Sequence, residues 1–95
     1  MRPEVQSLFL VTLTLEEALR AEDWESVEAL MNERERLLRE LEGVALGVED
    51  RGRLDTIQDA EQRIVLMLNE SRREIISSLS RSRDGRKMMQ AYSAA

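Results

Sequence analysis

The chain has 95 residues, a net charge of −5 at neutral pH, 42% apolar and 35% charged residues, and only 3% aromatic ones. A chain of this length makes one domain and buries roughly 60 to 65% of its unfolded surface, which leaves little room for a deep enzyme-style cavity. Cysteine and histidine are both absent, which excludes disulfides, thiolate nucleophiles, the usual zinc sites and the usual general base.

With so few aromatics, the core must be built from Leu, Ile, Val and Met. A sequence rich in Glu, Arg, Leu and Ala, with one Pro and four Gly, favours long helices, and no strand-like alternation competes with them. The expected fold is all-α: an antiparallel bundle of three long helices over residues 1–84, followed by a short C-terminal helix or tail over 85–95. Residues 1–50 carry thirteen acidic and five basic side chains, net −8, whereas residues 51–95 carry six acidic and nine basic, net +3. Most of these charges read as solvated helix faces. A single lysine and an acidic total disfavour nucleic acid as a partner, despite a small basic group at Arg81, Arg83, Arg86 and Lys87.

Pro3 suits a first helical turn, and Glu4 suits the positive end of the helix dipole. Val5, Leu8, Val11, Leu15, Ala18 and Leu19 then recur at three and four, predicting helix one from about Pro3 to about Ala21. Phe9, Leu10 and Leu13 widen its apolar face, as expected of a helix with more than one neighbour or a surface for a partner. The apolar run is too short, and too closely bracketed by acids, for a signal peptide or a membrane span.

Asp23 is the N-cap candidate for helix two, and Trp24 behind it is expected to act as a packing wedge at the helix corner. Val27, Leu30, Leu37 and Leu41 form the buried stripe, interrupted by Arg34 where an apolar residue would fit. Arg34 must either reach solvent or meet a carboxylate across a helix interface. Asp23, Trp24 and Arg34 are thus structural residues of the corner and its helix. Helix two is expected to end near Glu42, with Gly43 past its end, and the glycine-rich stretch to Gly52 reads as the connector. No strand and no GKS or GKT accompany those glycines, so they do not form a nucleotide loop.

Helix three is expected from about Arg53 to about Arg83. Leu54, Ile57, Ile64, Leu68, Ile75 and Leu79 follow a coiled-coil-like rhythm, with Ala60 and Met67 close to the same face. Val65, Leu66 and Ile76 lie off that seam and predict a second contact surface, either for another helix of the bundle or for a partner. After Asp84-Gly85, the segment RKMMQAYSAA places Met88, Met89 and Tyr92 on one side of two prospective turns, and methionine-rich surfaces adapt to varied partners.

Catalysis would have to rely on carboxylates or arginines. Glu33, Glu35, Glu40 and Glu42 recur without a histidine and read as an exposed face. RLDTIQDAEQRIVLMLNESRREI superficially resembles the first helix of the all-helical chorismate mutases, which stabilise a polar transition state electrostatically. However, the chain ends about twenty residues beyond Arg72 and Arg73, and Lys87 lies past the Asp84-Gly85 break. The chain therefore reads as a non-enzyme, with no metal, cofactor or small-molecule substrate.

Ala21-Glu22-Asp23-Trp24, followed by Val27, Leu30, Glu33-Arg34 and Leu37-Leu38, resembles the helix corner of the FliT-type flagellar export chaperones. Gly85-Arg86-Lys87 with Ala91-Tyr92 is similar to that family's closing segment. The resemblance implies a small cytoplasmic helical bundle, and the chain is expected to be a monomer or a homodimer. Such a chaperone binds the flagellar filament-cap protein, prevents its premature assembly and delivers it to components of the export apparatus. It also implies an apolar groove beside helices two and three, which a final helix can cover. Val65, Leu68, Ile76, Leu79, Met88, Met89 and Tyr92 are the expected partner-binding residues. The alternative is a coiled-coil module that uses the same faces for self-association.

Overall fold

A computed structural model describes residues 1–81, except for the side chains of Leu79 and Ser80. The expected C-terminal segment, with Met88, Met89 and Tyr92, lies outside the described residues. Regular structure among the described residues is entirely helical: α1 (Pro3–Arg20), α2 (Trp24–Glu40) and α3 (Val48–Arg81). The chain divides into two compact units, one of Met1–Val65 and a second beginning at Leu66.

In the first unit all three helices contribute buried aliphatic side chains to the core. Leu8, Leu37 and Ile57 are buried together, with Phe9, Val11, Leu41 and Leu54 packed around them. Burying a side chain of this size stabilises by about 1.5–3 kcal/mol, so a core without buried aromatics depends on the three helices meeting closely. Polar contacts between α1 and α3 advance together along both helices, from Arg2 with Asp50 to Glu16 with Arg63. Those two segments therefore run parallel. The order reverses between α2 and α3, where Leu37 meets Ile57 and Arg34 meets Glu61, so the path through the unit is up, down and up.

The turn from α1 to α2 is closed by the backbone. Asp23 N–H donates to Ala18 O at 3.0 Å, and Glu22 N–H donates to Leu19 O at 3.1 Å. This pair of bonds is a Schellman closure, which needs a left-handed residue at its centre. That residue is Glu22, at φ 56°. Asp23 then caps α2 as expected, its carboxylate accepting from Ser26 N at 3.3 Å and from Ser26 Oγ at 2.6 Å.

Two boundaries differ from the sequence reading. α2 stops at Glu40 rather than near Glu42, and Leu41 N–H still reaches back to Leu37 O at 3.1 Å before the chain reverses through Gly43 at φ 72°. α3 begins at Val48, not near Arg53, so Gly52 lies inside a helix instead of ending a loop. The cause is Asp50, whose carboxylate turns back to accept from Gly47 N at 3.3 Å. This is the reciprocal half of a capping box, strong enough to start the helix ahead of its glycine.

The two glycines should respond oppositely to an added methyl group. A Cβ at Gly43 meets no atom within 4 Å but requires a left-handed conformation, whereas a Cβ at Gly52 also meets nothing and the backbone is helical. Urea unfolding should show Gly43→Ala destabilising by about 1 kcal/mol and Gly52→Ala stabilising by about 0.5–1 kcal/mol.

Candidate functional site

Arg34 resolves the interruption in the α2 stripe. Its Nε donates to Glu61 Oε1 of α3 at 2.8 Å, and a second guanidinium nitrogen reaches the same oxygen. Both side chains are only partly exposed, so a truncated partner would leave a poorly solvated charge. A matching pair joins α1 to α3: Arg63 Nε donates to Glu16 Oε2 at 2.6 Å, and Arg20 approaches the same carboxylate at 3.5 Å. Glu16 is buried on the face of Leu8, Thr12, Leu15 and Leu19. Sequence reading treats it only as an acid ending the apolar run. Its spacing from Leu8 and Thr12, at eight and four residues, is the signal that places it inward.

The Arg63 hydrogen bond holds the Glu16 carboxyl below the usual carboxylate range, against the opposing effect of burial. Hydrogen bonds from the Arg2 backbone, and then from Gly47, likewise hold Asp50 low against its burial. These groups link and orient the helices. Among the described residues no group of three or more His, Cys, Asp or Glu is arranged to hold a metal ion.

Two kinds of surface are present. Beside the α1–α2 turn, Thr14, Ala18, Ala21, Ser26, Ala29 and Leu30 help to line an open groove of about 510 Å3. Its width follows from the small side chains on both walls. Trp24, expected as a wedge in this corner, is instead 46% exposed. The backbone closure and the Asp23 cap hold the turn without it.

The second kind is apolar exposure on α3. Val65, at the end of the first unit, is 54% exposed. In the second unit Leu66 is 68% exposed and Ile76 is exposed, while Leu68 is half-buried. Leu79 has no described side chain. Of the other expected partner-binding residues, Met88, Met89 and Tyr92 lie outside the described residues. Ile75, expected within the packed seam, is 58% exposed. α1 and α2 have 18 and 17 residues against 34 in α3.

A family model described as flagellar protein FliT matches residues 2–94. No curated protein and no solved structure matches the chain. No helix among the described residues is long and apolar enough to cross a membrane.

The buried Glu16 gives the site a pH signature. Because its folded pKa is depressed, its contribution to stability is present above the unfolded pKa of about 4.3 and is lost as pH falls through the lower folded value. Arg63→Gln should therefore lower the urea midpoint at pH 7 and reduce the further drop between pH 7 and pH 3.5 relative to the unaltered chain.

Proposed function

The chain belongs to the FliT family of flagellar proteins, and from that premise we propose that it is a cytoplasmic export chaperone for the flagellar filament-cap protein. It holds the cap protein's aggregation-prone segment, blocks premature assembly and hands the cargo to the export apparatus. The observation that carries this reading is the family match along nearly the whole chain. Exposed apolar side chains on α3 support it, because a chaperone must offer such groups without burying them in its own core.

The cargo segment is an amphipathic helix whose apolar face docks on α3. Val65 of the first unit and Leu68, Ile76 and Leu79 of the second are the proposed contacts. Met88, Met89 and Tyr92 are proposed to compete for the same apolar contacts, as the family resemblance implies. Methionine's flexible thioether side chain suits a cover that must be displaced.

Titration calorimetry with the purified cap protein tests both parts. Ile76→Glu should weaken binding by roughly tenfold or more, since a buried carboxylate at an apolar contact is left unpaired. Deleting residues 85–95 should strengthen binding. Unchanged affinity in the first variant removes the α3 surface, and unchanged or weaker affinity in the second removes the covering role. Light scattering separates a chaperone that remains monomeric or dimeric and binds cargo from a self-associating module with no affinity for it.

A further inference from the structure

A second apolar surface lies wholly within the first unit, on the outer face of α2. Trp24, Met31 and Leu38 are spaced by seven residues, and Glu28 and Glu35 fall between them at intervals of four and three. On one helix these five positions share a face. All five are exposed, with Met31 and Leu38 leaving 41% and 38% of their surface open beside the half-open Trp24. The buried residues of α2 are Val27 and Leu37, and its Arg34 is engaged with Glu61. The Trp24–Leu38 row is therefore additional to the core-facing stripe.

The charges along the row limit what can cover it. Glu35 is paired with Arg39 at 2.8 Å, an exposed pair on a single helix, while Arg36 is turned to Glu33 and Glu40. Glu28 has no ion-pair partner among the described residues. Two copies meeting through this face in a two-fold dimer would set these carboxylates against each other. An anionic lipid surface would meet the same repulsion. A helix with an apolar row flanked by lysines or arginines meets neither obstacle, since its leucines would fill the spaces beside Trp24, Met31 and Leu38 while its cations face Glu28 and Glu35.

We infer that the Trp24–Glu28–Met31–Glu35–Leu38 face of α2 is a docking surface for a cationic amphipathic helix of a partner protein. This surface is separate from the α3 contacts assigned to the cargo, and it remains intact if that assignment fails. Its composition gives it a selectivity that an apolar patch alone lacks: the aliphatic row supplies contact area and the carboxylates reject acidic helices.

Trp24 is the only tryptophan, so its emission reports directly on the face. The full-length chain is titrated with an 18-residue helical peptide carrying a leucine row flanked by lysines, and separately with a peptide in which glutamate replaces each lysine. The lysine peptide should give a saturable blue shift and the glutamate peptide none. Glu28→Gln with Glu35→Gln should weaken the lysine peptide about three- to tenfold and flatten its salt dependence. Met31→Ala should weaken it roughly tenfold without changing helicity by circular dichroism. Equal binding of both peptides, or indifference to these substitutions, overturns the assignment. A shift that follows protein concentration without peptide, together with a doubling of mass, overturns it in favour of a second copy. A free chain whose Trp24 is already shielded from acrylamide at monomeric concentration overturns it in favour of cover by the chain's own residues.

Discussion

Two ion pairs that end two residues apart on α3 determine how the first unit closes. Glu61 receives Arg34 from α2, and Arg63 donates to Glu16 from α1. Two residues on a helix are about 200° apart, so these side chains leave α3 on opposite flanks. Between the flanks lie Ile57, Ala60 and Ile64, all buried. The apolar residues bring the helices together but tolerate sliding and rotation, because Leu, Ile and Val repack at modest cost. A charge held away from water tolerates much less, because a shift of one turn would separate it from its partner. The pairs have opposite polarity, with α3 supplying the carboxylate to α2 and the guanidinium to α1, so exchanging the two neighbours would set like charges together.

The ends of the helices are tied by the same economy. Asp50 caps its own helix through Gly47 N–H and also accepts from Arg2 N–H at 3.0 Å, so one carboxylate starts α3 and fixes the start of α1 beside it. Arg2 adds a bond from Nε to Ala45 O at 3.2 Å, which joins the connector to the same corner. At the other end of α1, the Schellman closure and the Asp23 cap complete the reversal with backbone groups and one side chain. Large apolar side chains are therefore not needed in the turn, and Trp24 stays partly open.

Much of this was legible in the sequence because it depends on periodicity and local caps. The start of α1 at Pro3 and the Asp23 cap follow from residues a few positions away, whereas the sequence leaves Arg34 either to solvent or to a carboxylate, and the choice falls to Glu61, 27 residues along the chain. The connector was harder to read, since three glycines in ten residues outweigh a single acid in any propensity argument. Asp50 prevails because a back-bonded carboxylate at a helix start offsets the glycine cost a turn later. Glu16 was missed for a different reason: its burial depends on a cation 47 residues away, and charge alone marks it as a surface residue. Ile75 shows the converse, since a correct helical rhythm identifies a face without supplying a neighbour to cover it.

The exposed apolar groups make sense against the size of the core. A chain of 95 residues with few aromatics has a limited supply of large side chains, and leaving Trp24, Met31, Leu38, Leu66 and Ile75 open sacrifices burial that a small domain would ordinarily use. Stability is recovered through charged links and caps, which take up little apolar surface. Solubility is protected by the net charge of −5 and by carboxylates placed among the apolar groups, as at Glu28 and Glu35. Electrostatics therefore hold the helices in place while these apolar side chains stay at the surface.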